Sequence, residues 1–396
     1  MDLVTNNIPG VGEAGAPGTT RPLQTLDTPC LLLDEARMDR NIGRLRDRLA
    51  AAGVGFSPHL KTAKSLDVAR RLLTGPHGPA TVSTLREAEE FAAGGITELT
   101  YAVGISPCKL PRVQAIRRRG VVLTILLDSV EQAEAVAAAS DPSDPIHVLI
   151  EIDCDGHRSG VKPGDSDLLA AIARTLAPSA ELRGVLTHAG ESYEARGVAE
   201  LMAAAEGERA SVVMAAGLLR ARGFTCPVVS VGSTPTAHFA QSYAGVTEVR
   251  AGAFVFFDLV QAGIGVCVQD DIALSVLATV IGHQHYKGWT IIDAGWTALS
   301  CDRGTASQAV DQGYGAVCDV RGRPIPELKV IAANQEHGIV AMRADAAGGA
   351  PELPVGTRLR ILPNHVCATA GQHDRYHVIG KGANEVTTEW PRFSGW

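Results

Sequence analysis

Val54-Gly55-Phe56-Ser57-Pro58-His59-Leu60-Lys61 follows the first clear helical run of the chain, and its reading decides the fold. A doubly wound dinucleotide-binding sheet needs a glycine-rich turn after its first strand, so that the backbone can approach a pyrophosphate. Phe56 to Lys61 contains no glycine. The segment ends instead in a histidine and a lysine, as a barrel strand does when chemistry sits on its carboxyl rim.

Working outward, Asp34 is placed to cap the preceding helix, and Met38, Ile42, Leu45 and Leu49 recur at helical spacing before Gly53 ends it. Seven more strand candidates follow: Ala80–Leu85, Leu99–Val103, Val121–Ser129, His147–Asp153, Leu182–Gly190, Val228–Ser233 and Glu248–Phe256. Helical patterns separate them, among them Leu66–Leu73, Glu87–Ala93, Val130–Ala139, Leu168–Leu176 and a long one over Val198–Ala221. Eight strands with interleaved helices predict a (β/α)8 barrel. After Leu274 the texture changes to short strand-like runs broken by Gly, Pro and Asp, with no long amphipathic helix between them. This predicts an antiparallel β domain over 275–396, after a barrel over 34–274. The strand Gln24–Leu33 is expected to join that β domain, and 1–23, rich in Gly, Pro, Asn and Thr, reads as a disordered leader.

Composition narrows the function. The chain has 396 residues, 45% hydrophobic and 20% charged, enough apolar side chain for a large core. Lys and Arg number 36 against 43 Asp and Glu, a net charge of −7, so neither a nucleic-acid partner nor a membrane partner is expected. No apolar run reaches the roughly 20 residues of a membrane span. Met1 to Leu23 lacks the basic and apolar regions of a secretory signal. Eight scattered cysteines, none in a Cys-x-x-Cys pair, read as reduced thiols in a cytoplasmic protein.

The carboxyl ends of the strands gather polar groups. Strand one ends in His59 and Lys61, and strand five runs into Asp153-Cys154-Asp155-Gly156-His157-Arg158. Strand six ends in Thr187-His188 with Tyr193 beyond, strand seven in Gly232-Ser233-Thr234, and strand eight carries Arg250. Gly232-Ser233-Thr234 opens a helix, where amides and hydroxyls suit a phosphate; alone it is equally a Ser/Thr cap. A lysine at the end of an apolar strand can lose pKa by desolvation and form a Schiff base. A lysine and a phosphate cradle on one rim together suggest pyridoxal phosphate. Arg158 suits its phenolate oxygen, and Tyr193 or Arg250 its ring nitrogen, although each is also an ordinary packing or ion-pair residue. Lastly, Leu362-Pro363-Asn364-His365-Val366-Cys367 presents an imidazole and a thiolate two residues apart, side by side if the segment is extended. Asn364 and His373-Asp374 are expected to support that pair.

In order along the chain, Pro58-His59-Leu60-Lys61-Thr62, Val82-Ser83-Thr84 with Glu87, Asp153 to Gly160, Thr187-His188-Ala189-Gly190, Gly232-Ser233-Thr234-Pro235 and Pro363-Asn364-His365-Val366-Cys367 resemble the D-serine dehydratase/D-threonine aldolase family. These are pyridoxal phosphate enzymes of fold type III, built like alanine racemase. The resemblance runs from Gln24 to Trp396. It implies a homodimer in which Lys61 carries the cofactor. His59, Arg158, Thr187, His188, Tyr193, Gly232, Ser233, Thr234 and Arg250 surround it. His365 and Cys367 would hold a divalent metal, Zn2+ first, with Mn2+, Co2+ or Mg2+ as alternatives.

Within the family, Ser230–Thr236, Val246–Gly252, Asp293–Trp296 and Asn334–Gly338 are similar to the branch that dehydrates D-threo-3-hydroxyaspartate. The implied reaction converts a D-3-hydroxy amino acid to a 2-oxo acid and ammonia. The alternative is a D-threonine or D-phenylserine aldolase giving glycine and an aldehyde. A non-catalytic pyridoxal phosphate-binding protein is the reading of another class. His188-Ala189-Gly190-Glu191-Ser192-Tyr193 departs from the His-Gly-Ser run common in the aldolases, and Phe254 stands where relatives often carry tyrosine.

Overall fold

The computed structural model describes residues 20–344, 346, 350–380 and 384–396. Most of the leader expected over 1–23 lies outside them. Arg21–Pro22 is within them and pairs antiparallel with Val386 and Glu385, and Leu23 beside it is buried.

The eight parallel strands are Gly55–Phe56, Ala80–Val82, Glu98–Gly104, Val122–Leu127, His147–Ile152, Glu181–Thr187, Val228–Val231 and Glu248–Val249. From the second strand onward each pairs with the next, and the last pairs with the first, which leaves the first and second as the two edges. The barrel closes through a parallel bridge between His59 and Thr81, where Leu60 N–H donates to Thr81 O (2.8 Å) and Thr81 N–H to Pro58 O (2.9 Å). The expected (β/α)8 barrel is therefore the fold. Two strands are much shorter than the sequence pattern predicts. Pro58 breaks regular pairing in strand one, and Gly252 precedes a 3-10 turn, Ala253–Val255, where strand eight was expected to continue.

Period-two alternation sorts the barrel side chains. Leu126, Leu149 and Leu186 form a small cluster of their own, while their neighbours Leu127, Ile150 and Val185 belong to the large core shared with the helices. Helix Glu35–Ala51 starts where Asp34 accepts from Arg37 N–H (3.0 Å), and it buries Met38, Ile42, Leu45 and Leu49.

The second unit is a ten-stranded sheet. Strand Leu274–Gln284 pairs with both Trp289–Ile292 and Arg358–Leu362, which curls the sheet toward a barrel. Cys30–Asp34 joins it, antiparallel to Leu274–Gln284 and parallel to Arg375–Ile379, while Leu23–Thr25, at the start of the run read as a strand over Gln24–Leu33, forms a 3-10 turn. Among the described residues, no helix is long and apolar enough to cross a membrane.

Candidate active site

A cavity of about 470 Å³ opens on the carboxyl rim of the barrel. Its size lies in the range of small-molecule sites. Lys61 lines it, one residue beyond the strand-closing hydrogen bond of Leu60. Three contacts from the β domain hold the lysine turn. Tyr376 Oη donates to Ala63 O (2.7 Å), Arg392 Nε donates to the same oxygen (3.1 Å), and Phe393 N–H donates to Lys64 O (3.0 Å). They support Lys64 at φ 44°, a left-handed conformation that a lysine does not adopt without such help.

Gly232, Ser233 and Thr234 line the same cavity as Lys61. Ser233 caps helix Thr234–Phe239 in a reciprocal arrangement with Thr236. A Cβ on Gly232 would lie 1.9 Å from Arg250 O, so the close approach of strands seven and eight requires glycine. Glu208, only 2% exposed, holds two rims together: one carboxylate oxygen accepts from Ala189 N–H (2.9 Å) and from Gly232 N–H (3.0 Å). Sequence reasoning missed Glu208. The signal was present, since it shares the buried helical stripe of Leu201, Ala205 and Val212, where a lone acid is out of place.

Two histidines are held neutral. His188 Nδ1 donates to Gly232 O, which leaves Nε2 as an acceptor. Burial, with the Lys61 cation next, lowers His188 to about 3. His59 Nε2 bonds Ser83 Oγ (2.9 Å), and burial followed by Lys61 holds it well below the usual histidine range.

Arg250 lines the cavity and is buried; it donates to Thr187 O, and its Nε has no partner among the described residues. Thr187 itself is a correction. Its hydroxyl donates to Ile152 O (2.6 Å), so strand six turns that side chain away from the cavity and offers only its carbonyl, to Arg250. Tyr193 lines the cavity with its hydroxyl beside Thr234, on the cradle side, and burial raises its pKa. That position separates it from the ring-nitrogen role weighed for it. Arg158 is exposed and lines the cavity from the loop after strand five.

His365 and Cys367 line the same cavity. The segment is not extended through both, as the sequence reading assumed. His365 caps helix Val366–Ala370, and Cys367 lies in its first turn. Barrel residues fix that turn: Asp258 Oδ2 accepts from Val366 N–H (2.9 Å), and Leu259 and Val260 N–H donate to Pro363 and Asn364 O. The partner of His365 Nδ1 is Asp302, at 2.6 Å. Burial opposes charge on His365, but the bonds to Asp302 and Cys367 outweigh it and push its pKa up to about 11. The same proton, against the effect of burial, holds Cys367 below the usual thiol value. Asp302 was missed, since a single aspartate in Cys301-Asp302-Arg303-Gly304 carries no periodic signal. The expected supports are placed otherwise. His373 Nε2 donates to Ala298 O, Asp374 pairs with Arg375, and Asn364 binds Thr305 N–H and Gly313 O, steadying the loop that carries Asp302.

These features fit both expected groups. The cradle that a Cβ would fill and the partnerless buried Arg250 Nε suit a phosphate-bearing ring reached by Lys61. One thiolate and one imidazole, the latter oriented by a carboxylate, suit a borderline divalent metal. No group of three or more His, Cys, Asp or Glu ligands occurs among the described residues, which leaves other coordination positions to water or substrate.

A (β/α)8 barrel joined to an antiparallel β domain, with a lysine and a Gly-Ser-Thr turn lining one cavity on its rim, is the architecture of a fold-type III, alanine racemase-like protein. Comparison with known sequences agrees. The family described as "Alanine racemase, N-terminal domain" matches residues 33–260, and that of the serine dehydratase domain matches 273–379. D-threo-3-hydroxyaspartate dehydratase of Delftia sp. (strain HT23) is 54% identical, over 94% of this chain and 99% of its own. A solved structure of a Cys→Ala mutant of D-threo-3-hydroxyaspartate dehydratase, in the metal-free form, superposes with a TM-score of 0.90 at 53% identity, covering 95% of this chain and 100% of that one. The 3-hydroxy-D-aspartate aldolase of Paracoccus denitrificans (strain Pd 1222) is 28% identical, over 92% and 91% of the two chains. The chain belongs to the D-serine dehydratase/D-threonine aldolase family.

Proposed function

We propose that this protein is a pyridoxal phosphate- and divalent metal-dependent lyase that converts D-threo-3-hydroxyaspartate to oxaloacetate and ammonia. One observation carries the reading: Lys61, the His365–Cys367 pair and the Gly232-Ser233-Thr234 turn line a single cavity, in a chain 54% identical to a D-threo-3-hydroxyaspartate dehydratase. When bound, the cofactor supplies an electron sink for the bond broken at Cα, and the metal supplies Lewis acidity for the departing β-hydroxyl.

The side chains do the rest. Lys61 would hold the cofactor, and its amine lines the cavity where it could take the Cα proton. Ser233, Thr234 and the Gly232 turn would hold the phosphate. Arg250, shielded from water, would serve the ring nitrogen, and Arg158 the phenolate oxygen. Neutral His59 and His188 add no positive charge beside Lys61. Asp302, bonded to His365 Nδ1, would leave Nε2 free to take the metal.

A working homodimer, Zn2+ as the native metal and a reducing cytoplasm belong to the same reading. The eight free cysteines support the last of these. Product identity tests the proposal. With D-threo-3-hydroxyaspartate, oxaloacetate and ammonia should appear and should disappear on EDTA treatment. Glycine with glyoxylate instead would make the protein an aldolase. Light scattering and elemental analysis of the purified protein check the dimer and the metal.

A further inference from the structure

A second cavity, of about 720 Å³, meets the first at Lys61, His365 and Cys367, which line both. The phosphate cradle lines only the first. If Cα reacts beside Lys61 and the β-hydroxyl lies at the metal pair, the substrate is pinned at the junction. Its remaining β-substituent then points away from the cradle, into the second cavity.

That cavity is rich in cations, but most are spent. Lys64 pairs with Glu87 at 3.3 Å. Arg112 makes a two-pronged bond to Glu89, at 2.6 and 2.8 Å. Arg392 donates to Ala63, Ala370 and His373 carbonyls and to Tyr376 Oη. Lys109 differs. Its Nζ touches only Tyr101 Oη (3.1 Å), and no carboxylate lies within ion-pair distance among the described residues. Tyr101 is fully buried, so its hydroxyl fixes Nζ without neutralising it. A half-buried, oriented and unpaired ammonium is an anion receptor.

We propose that Lys109 binds the β-carboxylate of the substrate and so selects acidic over neutral D-3-hydroxy amino acids. This rests on the lyase reading above and adds the specificity determinant. Lys109 also lies outside every segment that the sequence reading singled out.

The test separates binding from reaction. The cofactor-loaded enzyme is titrated with D-aspartate and with D-alanine, neither of which has a hydroxyl to lose, and the cofactor absorbance is followed. D-aspartate should bind the wild type more tightly. Lys109→Met should weaken D-aspartate about ten- to a hundredfold, as loss of a charge-assisted bond does, and leave D-alanine unchanged. Lys109→Arg should restore most of the difference. In turnover, Lys109→Met should raise KM for D-threo-3-hydroxyaspartate by the same factor and leave D-serine kinetics alone. Equal weakening of both ligands would assign Lys109 to the α-carboxylate or to folding and overturn the proposal, as would no change in either. Wild-type enzyme that binds D-aspartate selectively but forms no oxo acid would instead sink the lyase reading alone.

Discussion

Thr62 Oγ1 lies 3.2 Å from Cys367 Sγ. The first belongs to the lysine turn of the barrel and the second to the metal-type pair of the β domain, so two halves of the site meet in one hydrogen bond. Arg392 reinforces the junction by bonding carbonyls of both Ala63, next to Thr62, and Ala370, at the end of the Cys367 helix. The register between Lys61 and the His365–Cys367 pair is thus built from contacts across the two units, which have separate sheets.

Lys61→Ala is expected to abolish the near-visible absorbance of lysine-bound cofactor and to lower turnover by about 10²–10⁴-fold or more, the usual contribution of a positioned base. Borohydride trapping followed by peptide mapping checks the assignment. A pyridoxyl label on another side chain would refute it.

Cys367→Ala should lose bound metal and turnover while keeping the cofactor colour, because the cradle and Lys61 are untouched. Elemental analysis beside an absorbance spectrum reads both quantities. Full metal occupancy in that variant would remove Cys367 from the ligand set.

Asp302→Asn keeps a hydrogen-bonding side chain next to His365 but loses the charge that orients and polarises it. Metal affinity should fall about 10–100-fold, the usual effect at such partners. Competition with a chelator measures it, and an unchanged affinity would make the 2.6 Å contact incidental.

At Gly232 a methyl group meets Arg250 O at 1.9 Å, and neither strand can yield without moving the cradle. Gly232→Ala should therefore weaken cofactor binding at least tenfold, or roughly 1.4 kcal/mol. Titration of the apoprotein with pyridoxal phosphate would show this; wild-type affinity would place the phosphate elsewhere.

His238 offers a pH test away from the reacting groups. Its Nδ1 donates to Thr234 O (2.8 Å), and burial lowers its pKa to about 4. The unfolded chain binds this proton near pH 6.5 and the folded one only near 4, so the histidine costs stability as pH falls through that window. Relative to His238→Asn, the wild type should lose up to about 3 kcal/mol between pH 7 and pH 4. Urea unfolding at the two pH values gives the difference, and a constant gap would mean that the imidazole titrates freely.

Much of this molecule is local in origin. The stripe Met38, Ile42, Leu45 and Leu49 makes its helix wherever that helix packs, and the apolar runs from His147 to Ile152 and from Val228 to Val231 make buried strands. Lys61, Ser233, His365 and Cys367 stand out because each follows or opens such an element. Local pattern misleads where a long-range contact overrides it. The run Glu248–Phe256 reads as one strand but breaks after Val249, since Gly252 packs under the His59 carbonyl and the chain must turn.

Alternation of side chains along the sequence by itself determined the barrel, the β domain and the rim on which chemistry collects, because those properties follow from spacings of two and of three to four residues. Only the tertiary structure decided that Asp302 meets His365, that Glu208 bridges two rims, that Thr187 faces away and that Lys109 keeps an unpaired charge. Those partners lie from 19 to 63 residues apart or depend on what is absent nearby. Such pairings are set by how whole strands and domains stack, which no local periodicity encodes.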